Sequence, residues 1–520
     1  MSPVITRRRL LAGTAGVVGL AGSAGAAAWA NGLLAPDPPL VAPDADVVGR
    51  VEAARRRASA GTVTATLTPR PVSIDLGGPV ASTWGYDDTA PGPMIRVRAG
   101  DLLRVQVVNR LPTDTSVHWH GLALRNDMDG VPGVTQPPIP SGGRHTYEFT
   151  APDPGTYFYH PHSGVQLDRA LYGVLIVDDP AEPGGYDAEW IVVLDDWVDG
   201  TGRTPEQVLA SLASMGGMHG DGGMGHDMGG MHGGAGMGEG GMPMGGMETM
   251  TSPLLGGAGD VAYPHYLING RVPAAPVTLT ARPGQRVRIR LVNAASDTAF
   301  RVALGGHRLT VTHTDGFPVV PADTDALLLA MGERADVTVT LADGVFPLVA
   351  VAEGKAGQGL AVVRTGAGGL PAGTVRPGQL DRRVLNTAAL RAADPVRLTD
   401  RAPDRTHRLV LGGGMMPYRW TINGATFRDS KPLYVRHGER VRLRFVNRTT
   451  MFHPMHVHGH TFAVTGANGT AGARKDTVIV TPHQTVSVDL EASNPGQWMT
   501  HCHNVYHAET GMMINLAYQA

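Results

Sequence analysis

The chain has 520 residues, 42% of them hydrophobic, which suggests about three domains and suffices for several small cores. The formal net charge is -2 and no basic stripe or base-stacking module is present, so nucleic-acid binding is excluded. With 70 Gly, 39 Pro and 5% aromatic residues, the composition describes short strands joined by turns, hence an all-β protein of sandwiches or Greek-key barrels.

The N-terminus reads as an export signal. Thr6-Arg7-Arg8-Arg9-Leu10-Leu11 resembles a twin-arginine motif, followed by a weakly apolar Gly/Ala-rich stretch. Ala28-Trp29-Ala30 offers an A-x-A site, so residues 1–30 are expected to be recognised by the twin-arginine (Tat) export machinery and cleaved rather than to anchor the chain. No cysteine lies there, which excludes a lipidated anchor. The destination is then the periplasm, cell envelope or exterior, and a monomer is expected. Disulfides are permitted in those compartments, but the single Cys502 cannot form one within the chain and suits a metal ligand instead. Residues 31–61 read as a flexible or loosely packed lead-in.

The body of the chain is an internal repeat. Residues 100–109, 284–293 and 438–447 each open on Gly and close on Asn. Within them polar and apolar residues alternate, as in Arg440, Val441, Arg442, Leu443, Arg444 and Phe445, the pattern of a half-buried strand. Nine and eleven residues after the Asn stand His118 and His120 in the first repeat and His456 and His458 in the third. The second repeat has Val302 and Leu304 there. A later register agrees. Pro154-Gly155 precedes His160-Pro161-His162 as Pro495-Gly496 precedes His501-Cys502-His503, whereas Gly344 leads to Val349-Ala350-Val351. The simplest reading is one metal cluster shared by repeats 1 and 3, with repeat 2 as a spacer.

Between the first two repeats, residues 205–214 suit a helix, and the stretch after it is unlike the rest. Residues 215–250 hold Met215, Met218, Met224, Met228, Met231, Met237, Met242, Met244, Met247 and Met250 in a Gly-rich background with His219, His226 and His232. Such a composition cannot bury a core. A plain linker needs only Gly, Ser or Pro, whereas spaced thioethers suit weak, exchangeable binding of Cu(I), because soft metals prefer soft ligands.

The last motif is the most specific. Cys502 lies between His501 and His503, with His507 and Met512 following. Two imidazoles, a thiolate and a weak axial thioether are the ligand set of a blue-copper electron-transfer site. In a strand, alternation turns Cys502 to one face and both neighbouring imidazoles to the other. A metal on the thiolate would then have a covalent route to a second metal centre. Pro161 stands where the cysteine would be in repeat 1, so only repeat 3 can build this site. A lone thiolate among His-x-His pairs does not match structural zinc spacings. His145, His407 and His437 stand outside these motifs and read as ordinary residues.

From about residue 62 onward, His118-Trp119-His120-Gly121, His160-Pro161-His162, His453-Pro454-Met455-His456-Val457-His458 and His501-Cys502-His503 through Met512 resemble the copper motifs of the multicopper oxidases, the family of laccases, ascorbate oxidase, bilirubin oxidase and copper-efflux oxidases. The resemblance implies three cupredoxin-like domains: 62–182 with half of a trinuclear site, 183–370 without ligands but with the insert 215–250, and, after a linker 371–400, 401–520 with the other half and the blue site. It implies four copper ions. Type 1 copper would take His453, Cys502, His507 and Met512, and type 2 copper His118 and His456. The type 3 pair would take His120, His160, His162, His458, His501 and His503. Asp129 matches a family carboxylate that supports proton delivery to reduced oxygen, and Met451 matches a methionine near Cu(I) in copper-efflux oxidases. Bacterial relatives often carry Glu directly after the type 1 histidine, where this chain has Ala508, followed by Glu509. In the family that histidine sits on the more exposed edge, where electrons enter.

The function implied is an oxidase that takes single electrons from Cu(I), with phenols or aromatic amines as further reductants, and reduces O₂ to water, serving copper detoxification. A laccase specialised for phenols would carry the same ligands. A non-enzymatic copper-binding protein would have no use for an eight-histidine cluster.

Overall fold

The structure, a computed structural model, describes residues 38–520 except 59, 183, 216–250 and 467–469. The export signal and the Met-rich stretch beyond Met215 lie outside the described residues.

The sheets group into three sandwiches, each built around one repeat. In the first, Thr62–Leu67, Leu102–Val108 and Arg144–Thr150 form a three-stranded sheet. It faces a four-stranded sheet ordered Ile95–Arg98, Gly173–Asp178, Gly155–His160, His118–His120. Leu103, Val105, Tyr147 and Phe149 from one sheet meet Val97, Trp119, Tyr157 and Leu175 from the other in one core. The second sandwich packs two six-stranded sheets, and the third a six-stranded sheet on a five-stranded one.

The repeat has one structural meaning throughout. Leu102–Val108, Arg286–Asn293 and Arg440–Asn447 each run parallel to the strand that opens their sandwich: Thr62–Leu67, Ala188–Trp197 and Arg405–Met415. The closing Asn is buried each time and satisfied in the same way. Asn109 Nδ2 donates to the carbonyls of Thr113 and Ile139 while its Oδ1 accepts from Leu111 N. Asn293 and Asn447 repeat the triplet with Thr298, Leu329 and Ala295, and with Met451, Val480 and Thr449. An apolar side chain there would orphan those backbone groups, which explains the Asn that closes each of the three strands.

The helix expected near 205–214 is Pro205–Met215. Thr204 and Gln207 close its start reciprocally, Gln207 N donating to Thr204 Oγ1 and Thr204 N to Gln207 Oε1, a capping box with Pro at the first position. Its buried Val208 and Leu212 join the core that holds Tyr418 and Trp420. The lead-in is not loosely packed where described. Helix Asp46–Arg55 inserts Glu52, whose Oε1 accepts from Thr150 N of the first sandwich. Val41 N and Ala520 N close hydrogen bonds between residues 39–41 and the C-terminal strand. The lead-in thereby ties the first sandwich to the third. Among the described residues no helix is long and apolar enough to cross a membrane.

Candidate metal centres

Strand register in the third sandwich creates two sites back to back. His453–Val457 pairs antiparallel with Gln497–Cys502, Met455 opposite Cys502 and His456 opposite His501. Opposed residues share a face and neighbours alternate. Cys502 and His453 therefore point one way, and His456 and His501 the other.

On the first face, His453 Nδ1 and His507 Nδ1 are 3.0 Å apart, and Cys502 Sγ lies 3.7 and 3.5 Å from them. A metal about 2.0–2.3 Å from each donor of a trigonal set gives donor–donor edges of roughly 3.4–3.7 Å, which the two sulfur–nitrogen distances match and the nitrogen–nitrogen distance falls below. His507 is placed by the short helix Val505–Glu509, whose cap Asn504 accepts from the backbone N–H of Tyr506 and His507. Met512 is buried, its N donating to His507 O and its carbonyl accepting from Cys502 N. The other nitrogens are fixed by oxygens: His453 Nε2 sits 2.8 Å from Thr449 Oγ1 and His507 Nε2 2.8 Å from Asp260 Oδ2. His507 is 0% exposed, a departure from the exposed edge expected of it, because Asp260 and Trp420 cover its ring, the latter at 4.1 Å between centroids.

Asp260 was not signalled by any motif. It accepts from Tyr418 Oη at 2.6 Å as well as facing His507, and its Oδ1 is buried without a partner. Burial would raise its carboxyl, but His507 and Tyr418 hold it below the usual carboxylate range. Conversely, burial opposes charge on His507, yet the Asp260 carboxylate lifts that imidazole to about 10. Met451 is half-buried, and its Sδ packs against Gly257, three residues before Asp260.

On the second face eight histidines from two sandwiches converge. His118 and His160 are opposed in the first sandwich as His456 and His501 are in the third, whereas in the second Val302 is opposed to Ala350, one residue beyond Val349, which stands at the His160 and His501 position. Ring nitrogens cluster within 4.8 Å in the sets His118–His456–His458, His118–His120–His160 and His162–His458–His501. His503 Nε2 completes the group 3.2 Å from His120 Nδ1. All ten sequence-assigned histidines and Cys502 thus fall into two clusters, the first built by the third sandwich alone and the second shared by the first and third.

The donor set fits metal ions. His118, His160 and His456 each turn Nδ1 to a backbone carbonyl, those of Asp129, Pro161 and Asp476. Their Nε2 atoms are buried without a hydrogen-bond partner, a rare and costly state unless something binds them. Burial, then repulsion among imidazoles, holds His120, His160, His162, His458, His501 and His503 well below the ordinary histidine range, in the neutral form that ligates.

Two carboxylates frame this cluster. Asp129 Oδ2 lies 2.9 Å from His458 Nδ1 and its Oδ1 3.2 Å from His118 Nδ1. Asp476, which no motif marked, sits 3.2 Å from His120 Nε2 and is held by Arg334 of the second sandwich at 2.8 and 2.6 Å. A cavity of about 940 Å³ reaches His162 past Met499, Met513 and Glu509. Burial raises the Glu509 carboxyl to about 7, whereas Ala508 offers no such group.

The chain matches known proteins over most of its length. Multicopper oxidase family profiles match residues 69–182, 245–368 and 400–520. Multicopper oxidase MmcO of Mycobacterium tuberculosis is 52% identical over 91% of this chain and 90% of its own length. Copper resistance protein A of Escherichia coli is 27% identical over 86% of this chain and 91% of its own. The crystal structure of a multi-copper oxidase from Pseudomonas thermotolerans superposes with a TM-score of 0.66 at 28% identity, covering 88% of this chain and all of that one. Three cupredoxin-fold domains, the paired His-x-His strands and the thiolate site together make this chain an oxidoreductase of the multicopper oxidase family.

Proposed function

We propose that the chain is a four-copper oxidase whose physiological reductant is Cu(I) and whose oxidant is O₂, which is reduced to water. The observation that carries the choice of reductant is Asp260 beside His507, with one carboxylate oxygen free and both side chains almost wholly covered. A covered carboxylate suits a small cation better than a phenol ring. Asp260 also lies on the stretch that leads back from the Met-rich residues 216–250, and the helix Pro205–Met215 before them packs on the strand Tyr418–Ile422 that supplies Tyr418. One flank of the thioether-rich stretch therefore meets His507 through Asp260 and the other packs on the strand that carries Tyr418, while Met451 packs its thioether on Gly257 of the first flank. Relatives named copper resistance proteins support a role in copper detoxification; relatives named laccases keep phenols as secondary reductants.

His453, Cys502, His507 and Met512 would hold type 1 copper, His118 and His456 type 2, and the remaining six cluster histidines the type 3 pair. Bound copper supplies one-electron redox chemistry and the site of O₂ reduction. The protein's part is positional and protic. Cys502 and its peptide neighbours His501 and His503 join the two faces of one strand. Asp129, facing His118 and His458, is placed to hold a proton at Oδ1 for reduced oxygen. Copper analysis combined with O₂ consumption on Cu(I) and on a phenol tests the reading. Four coppers per chain and preferential Cu(I) turnover are expected; turnover of phenol alone would overturn it in favour of a laccase.

A further inference from the structure

Resting on the trinuclear reading above, we propose that Arg334, from the sandwich that carries no ligand, is a positioning residue that sets the ligating nitrogen of His120 through Asp476. His120 is turned the opposite way from its neighbours. His118, His160, His456 and His501 hold Nδ1 on a backbone carbonyl and His458 holds Nδ1 on Asp129, leaving Nε2 for the cluster. His120 instead directs Nε2 at Asp476 Oδ1 and presents Nδ1 to the cluster, 3.2 Å from His503 Nε2. An ionised carboxylate only accepts, so Nε2 is the nitrogen that carries hydrogen and Nδ1 is left bare.

What makes Asp476 a fixed acceptor is a guanidinium fork. Arg334 gives Nη1 to Oδ1 at 2.8 Å and Nη2 to Oδ2 at 2.6 Å, a bidentate pair whose charge is permanent. Two more of its donors are committed as well, Nε to Thr156 O of the first sandwich and Nη1 also to Gly332 O of the second. With 0% exposure, the fork has one orientation, and it joins all three sandwiches at the cluster wall. Asp129, by contrast, has no basic side chain other than histidine paired to it among the described residues. The two carboxylates are thus divided: one is clamped and orients, the other keeps an oxygen free.

Gly332 is a second, independent contact from the same turn. A Cβ there would meet His503 Cδ2 at 2.8 Å and His120 Cε1 at 3.0 Å, and its φ of +83° already disfavours a side chain. The ligand-free sandwich therefore presses its backbone on the rings of His120 and His503, whose facing nitrogens lie 3.2 Å apart.

The test uses the copper-loaded full chain and reads copper content, the EPR-silent coupling of the type 3 pair, the blue type 1 absorption and thermal unfolding. The unsubstituted protein comes first: absence of a coupled pair there would sink the trinuclear reading itself, separately from the role of Arg334. Arg334→Met and Asp476→Asn should keep the blue band yet lose type 3 copper or make it EPR-visible, and Arg334→Lys should restore part of the coupling. Gly332→Ala should disturb the same signal without removing a charge. Lys475→Gln is the docking control, because Lys475 pairs with Asp315 and Glu333 of the second sandwich at 3.0 and 3.1 Å. It should lower the melting temperature and leave the coupled pair intact. An intact coupled pair in Arg334→Met, with only a lowered melting temperature, would reduce Arg334 to a domain fastener. If that variant does not fold, intact coupling in both Asp476→Asn and Gly332→Ala overturns the proposal.

Discussion

Asp129 Oδ2 and His458 Nδ1 meet at 2.9 Å although 329 residues separate them in the chain. The carboxylate belongs to the first sandwich and the imidazole to the third, so the cluster exists only where the two dock. His120 and Asp476 make the reciprocal contact at 3.2 Å across 356 residues. Each end sandwich contributes four of the eight histidines, and each orients a ring of the other.

Replacing Asp129 with Asn keeps shape but removes the proton-holding oxygen. Oxygen reduction should slow by about 10²–10⁴-fold, the usual worth of a placed acid–base group, while reduction of the type 1 site by Cu(I) stays fast. Stopped-flow traces separate the two steps. Equal slowing of both would remove Asp129 from proton delivery.

At the blue site, Cys502→Ser should abolish the thiolate-to-copper absorption and nearly all turnover while circular dichroism stays unchanged. Met512→Leu should be milder, since an axial thioether tunes potential more than it holds metal. A blue Cys502→Ser protein would overturn the ligand set.

The second sandwich gives a matched contrast. Leu304 occupies the repeat position of His120 and His458 but is wholly buried among apolar residues. Leu304→Ala should cost about 2–5 kcal/mol of stability as a cavity, read by denaturant unfolding, with copper content unchanged. His120→Ala or His458→Ala should do the reverse, sparing the type 1 band and stopping O₂ reduction. Copper loss from Leu304→Ala would mean that the ligand-free repeat reaches the cluster through more than its Gly332–Arg334 turn.

Why some of this was legible in sequence and some was not follows from distance along the chain. His118 and His120, or His501, Cys502 and His503, declare themselves by spacing, because strand alternation converts a two-residue offset into a shared face. The closing Asn of each repeat was visible as a pattern, though its buried hydrogen bonds were not. Asp260, Asp476 and Arg334 carry no local signature: Asp260 reaches His507 across 247 residues and Arg334 reaches Asp476 across 142. The expected exposure of His507 failed for the same reason, since its cover comes from Asp260 in a distant segment. The tight packing of the lead-in depends likewise on Tyr518 and Thr150, far from it in sequence.

Asp260 separates the two candidate reductants. Asp260→Asn preserves volume and loses the charge that faces His507. Cu(I) turnover should fall about tenfold or more, in line with a lost charge-assisted contact on the order of 1.5 kcal/mol. Phenol turnover should change less. A larger loss on phenol would place the organic substrate, not the cation, at this carboxylate.

The Met-rich stretch offers the last test. Its flanks are anchored independently of it, one through Val208 and Leu212 in the core around Tyr418, the other through Asp260 at His507. Replacing residues 216–250 with a short Gly/Ser linker should therefore cost little stability, since loop closure changes slowly with length. If the thioethers gather Cu(I), oxidation should weaken at low copper concentration and recover at high concentration, a change in KM rather than kcat. Phenol oxidation should be unchanged or faster. Equal loss on both substrates would point to displaced domains, which thermal unfolding would reveal. Unchanged Cu(I) kinetics would make the stretch a linker and shift the assignment toward a laccase.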